Sequence, residues 1–208
     1  MARIKLTKTE LKAQTDALKR FQRFLPMLQL KKQQLQGEIA QIVAKAEAVA
    51  ARERQVRREV AQWVSLLAED LALTEGLVRV VEVRKGAANI AGVAIPTFES
   101  IRAEVRDIDP WLTPAWIDDA AKAATDVLSL QCEREVYEEQ RRLVTYELQQ
   151  TSQRVNLFEK VKIPQCKEAI RVIKIALGDE QTAAVTRGKI AKSRAPAAAS
   201  GDGQEVAG

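Results

Sequence analysis

Two cysteines, Cys132 and Cys166, and no histidine at all stand among the 208 residues. That shortage removes most nucleophilic triads and zinc sites. A phosphate-cradling loop needs G-x-x-x-x-G-K followed by Ser or Thr, whereas Gly86 and Gly92 have the wrong spacing and no lysine follows. Acidic pairs do occur, Asp118 with Asp119 and Glu138 with Glu139. Adjacent helical positions point in different directions, so a solvated face is expected there rather than a metal site. With no convergent set of reactive side chains, the expectation is a non-catalytic protein without cofactor or metal.

Charge offers binding chemistry instead. The formal net charge is +5, from 33 Lys plus Arg against 28 Asp plus Glu, but it is spread as mixed-sign pairs, so nucleic acid is not the expected partner. Positive residues gather at Lys19, Arg20, Arg23, Lys31 and Lys32, with Arg171 and Lys174 far along the chain. Either these keep a helix soluble, or they meet a complementary acidic surface.

Long helices must position them. Aromatics make up 4% of the chain and charged residues 29%, the composition of a thin helical structure rather than of a wide core. A first helix is expected over 7–72, after an extension at 1–6: Thr7 and Glu10 form a T-x-x-E capping box, with Leu6 and Leu11 as a hydrophobic staple. Apolar residues then recur in steps of three and four, through Leu18, Phe21, Leu25, Leu28, Leu35, Ile39, Ile42, Val49, Val56 and Trp63. This is a coiled-coil seam, broken by Gln14, Lys32 and Glu53. A second helix is expected over 113–178, begun by Thr113 before Pro114 and closed by Gly178, with a stripe from Trp116 through Val127, Tyr137, Val144, Val155 and Phe158 to Leu177. On that one helix Cys132 and Cys166 are roughly 50 Å apart and cannot pair, so buried reduced thiols are expected.

Helices of equal length predict an antiparallel hairpin. Matching their ends sets Leu28 beside Phe158, Ile42 beside Val144, Val49 beside Tyr137, Ala46 beside Arg141 and Trp63 beside Ala123. It also brings the seam-breaking Glu53 to the level of Arg134, a predicted ion pair that would fix register. Pro26 and Pro164 fall at nearly one level, where both helices are expected to bend or loosen. Between the helices, 73–112 is expected to form a small tip. Leu77–Arg84 and NIAGVAIP would be two strands joined at KGAAN, and TFESIRAEVRDIDPW would be a short helix and loop. The tail at 179–208 loses its period and is expected to be largely disordered.

Three stretches carry a resemblance: KLTKTELKAQTDALKRFQRFLPMLQLKKQQL, NIAGVAIPTFE and RVNLFEKVKIPQCKEAIRVIKIAL. In this order and spacing the chain resembles the D subunit of the V-type and A-type rotary ATPases, from Ile4 to about Lys192. Pro26 and the Ala- and Gly-rich tail depart from that pattern. The resemblance implies a central rotor shaft, whose termini are inserted in the hexamer of catalytic A and B subunits. Its middle pairs with the small F subunit, and its far end sits in a socket subunit joined to the membrane ring. It further implies contact roles for Asn89, Ile90, Gly92, Val93, Ile95 and Pro96, and for Arg154 and Asn156, and none is catalytic. MARIKLTKTE has no apolar signal core and no run of about 18 apolar residues occurs, so a cytoplasmic protein, peripheral to a membrane complex, is expected. The rival of a different class is a prefoldin-like or tethering coiled coil with a β tip.

Overall fold

The computed structural model describes residues 5–67, 76–107, 114 and 116–198. Helix α1 is Lys8–Leu67, strand β1 is Val78–Ile90 and strand β2 is Val93–Val105. Helix α2, Ile117–Asn156, passes through a π-helical turn, Leu157–Lys162, into helix α3, Ile163–Ala198. The fold is therefore a long helical hairpin with a small antiparallel β-hairpin, as the apolar periodicity predicts. It divides into two compact units, Gln29–Gln153 and Met1–Leu28 with Arg154–Gly208.

In the unit Gln29–Gln153, α1 and α2 run antiparallel, because partners later in α1 sit earlier in α2. Lys31 pairs with Glu147 at 2.7 Å, Arg52 with Glu133 at 3.8 Å and Glu53 with Arg134 at 3.2 Å. The seam buries Leu35, Ile42, Val49, Val136 and Val144, and Ile42 shares a cluster with Val144 as expected. The side chain of Trp63, expected beside Ala123, lies outside the described residues.

The tip departs from expectation in three ways. First, KGAAN is no turn: Lys85–Asn89 continue β1, and the chain reverses at Ala91 and Gly92, whose φ values are 50° and 85°. Asn89 Oδ1 accepts from the Gly92 N–H at 2.9 Å, which holds that turn. Gly86 serves a different need, since a Cβ there would meet Thr97 Oγ1 at 2.7 Å and Glu99 Oε1 at 2.6 Å. Second, Thr97–Val105 is strand and not a short helix. Val83 opposite Ile101, Val80 opposite Ala103 and Val78 opposite Val105 give cross-strand neighbours that override the helical propensity of SIRAEVR.

Third, the hairpin lies along the helices. Its base packs Leu77 and Val78 on Trp116, Ile117, Ala120 and Ala121. Its turn end packs Ile90, Ala91, Val93 and Ile95 on Leu35, Ile39, Ile42, Tyr137, Val144 and Leu148. Thirteen strand residues span about 43 Å at ~3.3 Å each, and the helix from Ile117 to Val144 spans about 40 Å at ~1.5 Å each. The matching lengths let one edge of the seam be covered continuously. Lys85 bridges to Glu139 at 3.5 Å, and Gln140 Nε2 donates to the Pro96 carbonyl.

In the other unit, Thr7 caps α1: its Oγ1 accepts from the Glu10 N–H at 3.2 Å. Phe21 stacks on Phe158 with ring centroids 5.0 Å apart. Phe158 is thus one heptad from the Leu28 level drawn by matching helix ends. The matching that sets Ile42 beside Val144 therefore does not hold at this level, and Gly178, one of the ends it used, does not end the second helix, which runs to Ala198. The expected boundary at 178 and the disorder of 179–198 are corrected with it, while 199–208, Thr113 and the ends of the tip at 73–75 and 108–112 lie outside the described residues. Pro26 is inside α1. Near Pro164 the helix widens instead of breaking: the Ile163 N–H reaches back five residues to the Phe158 carbonyl. Proline has no N–H and its ring crowds the carbonyl four residues back, so a π turn immediately before it relieves the clash.

Candidate partner-binding surfaces

No reactive centre emerges from the described side chains. Asp118 and Asp119 are exposed on the first turn of α2, and Glu138 and Glu139 are tied to Arg134 and to Lys85 and Arg142. Among the described residues no group of three or more Cys, Asp or Glu could hold a metal ion. Cys166 is buried and Cys132 half-buried. Burial pushes both thiols up from their ordinary value, so neither is an activated thiolate at neutral pH.

The predicted contact residues separate into three groups. Lys19, Arg20 and Arg23 stand exposed on α1 in the unit of the termini, beside Phe24 and Met27, which are 48% and 60% exposed. Lys174, Arg154 and Asn156 are exposed in that unit as well. Such a mixture of cations and bare apolar side chains suits a protein surface better than bulk water. Arg171 and Lys31 are engaged within the chain. Arg171 Nη2 lies 2.7 Å from Glu168 Oε1, which raises the arginine's pKa and lowers that of Glu168, while Lys31 holds Glu147. Lys32 is half-buried.

The central motif divides by side chain. Ile95 is buried and Ile90 and Val93 pack against the same cluster, so these three anchor the β-hairpin. Asn89 and Gly92 form its exposed turn and the Pro96 carbonyl is held by Gln140. At Gly92 a Cβ would meet no atom within 4 Å, so only the backbone conformation opposes a side chain there. Gly92→Ala should lower stability by about 1 kcal/mol through its left-handed φ, seen as a shifted urea midpoint. An unchanged midpoint would mean that the turn is not held in this form.

Periodicity missed two surfaces. Tyr146, 63% exposed beside Arg142 on the outer side of α2, falls off the seam positions Val144 and Leu148. Val185 and Ile190, 59% and 47% exposed, lie where the apolar period had ended. A lone exposed aromatic is the one signal that could have found the first.

At the centre of the seam, Glu53 collects donors: Arg57 Nε and Nη2 at 3.0 and 2.9 Å, Gln131 Nε2 at 3.3 Å and Arg134 Nη1 at 3.2 Å. The Arg57 hydrogen bonds, with Gln131 and Arg134, outweigh burial and hold its carboxyl below the ordinary 4.5.

Sequence comparison decides the family. The family model for the ATP synthase D subunit matches residues 10–193. The chain belongs to the ATP synthase D-subunit family. It is 46% identical over 193 residues to the V-type ATP synthase D subunit of Borreliella burgdorferi, covering 93% of this chain and 95% of that one. The V-type ATP synthase D subunits of Chlamydia felis and Chlamydia muridarum are each 31% identical over 196 residues, covering 93% of this chain and 94% and 96% of theirs. The family match thus embraces both helices and the β-hairpin, and reaches into the helical stretch beyond Gly178. No described helix is long and apolar enough to cross a membrane.

Proposed function

We propose that this chain is the non-catalytic central rotor shaft of a V/A-type rotary ATPase, carrying torque between the catalytic A/B hexamer and the membrane ion-translocating ring. The observation that supports it most is mechanical. Two antiparallel helices share a continuous apolar seam, Leu35 to Val49 against Val136 to Val144, pinned by a polar cluster at Glu53. A slender, close-packed pair resists twist and axial slip without a wide core, because sliding would expose the seam and separate Glu53 from its donors. Nucleotide chemistry then belongs to the hexamer, and the shaft presents a different face to each neighbour as it turns.

In this assignment the unit with Lys19, Arg20, Arg23 and Lys174 is inserted in the A/B hexamer. The middle meets the small F subunit, and the end near Leu77 and Ile117 sits in the socket subunit that joins the ring. The protein works in the cytoplasm, peripheral to the membrane. Cross-linking tests rotation. A Lys19→Cys chain, assembled with the hexamer and oxidised onto a cysteine placed in a catalytic subunit, should lose nearly all ATP turnover coupled to ion movement, and reduction should restore it. Undiminished coupled turnover in the fully cross-linked complex would rule the shaft out.

A further inference from the structure

The second helix carries one residue more than its seam needs. Up to Phe158 the inward positions follow steps of four and three, through Val144, Leu148, Thr151 and Val155, and Val144, Thr151 and Val155 are buried. Continued in that phase, the seam would take Lys162, Gln165 and Val172. All three are exposed. Beyond Pro164 the buried positions are Cys166 and Ile173 instead, in phase with Ile163, so the step from Phe158 to Ile163 is five residues. Buried Ala169 fits both phases.

Neither phase can be extended. Run backward from Ile163, the later one would place Glu159 and Asn156 on the seam, where a charge without a partner is unfavourable. The surplus residue is therefore pinned between Phe158 and Ile163. It is absorbed by the π turn Leu157–Lys162, in which the Ile163 N–H reaches back to the Phe158 carbonyl. Removing one residue there would leave an unbroken heptad on both sides. Seam packing thus does not call for the insertion, and Pro164, which disfavours an α turn at this place, reinforces it.

Its effect is local. A π turn is wider than an α turn, and helices kink at such turns. No residue of Leu157–Lys162 is buried. Across the seam, the Phe158 ring meets Phe21 with centroids 5.0 Å apart and planes tilted by 47°, and a tilted ring pair resists bending less than interdigitated seam layers do.

We propose that the π turn Leu157–Lys162 is a compliant joint in the second helix, at which the chain bends and twists while the seam stays closed at Val155 and at Cys166. A torque-carrying chain can yield at such a joint without losing register. That use rests on the rotor assignment; the joint itself does not.

Amide exchange in the isolated full-length chain tests it. Corrected for intrinsic rates, amides of 158–163 should exchange about tenfold faster than those of 144–151 and 166–173, because a joint opens without unfolding its neighbours. Equal protection would overturn the joint, and this measurement needs no variant. A chain with Lys160 deleted and Pro164→Ala should be continuously α-helical there and lose the contrast. Pro164→Ala alone should keep it, since the surplus residue remains. Loss of the contrast in Pro164→Ala alone would make the proline the whole cause and overturn the role of the insertion. Spin labels on Arg154→Cys and Lys174→Cys, in a chain with Cys132→Ala and Cys166→Ala, should give a narrower distance distribution once Lys160 is deleted and Pro164 replaced. An unchanged width would overturn the bending. A rigid turn would leave the rotor assignment standing.

Discussion

Leu35→Ala should lower the stability of the full-length chain by about 3 kcal/mol, measured by urea unfolding. Leu35 is fully buried, and it lies where three elements converge: α1, α2 through Val144, and the β-hairpin through Ile95. Truncation removes apolar contact from all three at once, and two antiparallel helices bridged by a hairpin have little freedom to close around the void. The loss should also loosen the hairpin, so amides of Ile90 to Ile95 should exchange faster. A thin fold makes such a layer more important than in a wide domain, because each level of the seam has few neighbours to compensate. A drop below about 1 kcal/mol, the range of surface substitutions, would show that the hairpin does not rest on this layer.

Glu53→Ala should cost about 2 kcal/mol, less than a fully buried pair would, because Arg134 is 41% exposed and can turn to water. Among the described residues the Arg134 Nε makes no hydrogen bond and has only Glu138 Oε1 at 3.7 Å, so removing the Glu53 carboxylate takes away the guanidinium's closest acceptor. The pH dependence has a definite sign. Glu53 is held below its ordinary 4.5 in the folded chain, so its charged form stabilises folding fully above the unfolded value. That contribution disappears as pH falls through the lower folded value. The stability difference between the natural chain and Glu53→Gln should therefore be constant near neutrality and shrink only as the pH falls below the ordinary carboxylate range. A difference that stays flat through the acid range would mean that the Glu53 charge is not what its neighbours hold.

Glu53 and Arg134 illustrate how far a one-dimensional pattern reaches. Both interrupt an apolar stripe, and a stripe interrupted at one level by an acid and a base is legible before any coordinates, since a seam position cannot hold an unpaired charge cheaply. Arg57 and Gln131 were not legible, because their contribution depends on side-chain reach from flanking positions. The contact surface was read less well. Lys31 and Arg171 look like free cations in the sequence but are engaged by Glu147 and Glu168, partners whose approach is set by local geometry.

The amino-acid order alone determined the two helices and their antiparallel pairing, since apolar steps of three and four and a Thr7 cap act locally. It also carried the likeness to the rotary ATPase family. Tertiary structure decided the rest: the turn at Ala91 and Gly92 rather than in KGAAN, the strand in place of a helix at Thr97–Val105, and the hairpin laid along the seam. Each depends on residues far apart in the chain, such as Ile95 meeting Leu35 and Val144, which a turn in KGAAN would not bring together. The helical course beyond Gly178 belongs to the same class, because a glycine ends a helix only where the chain gains more by turning away than by continuing.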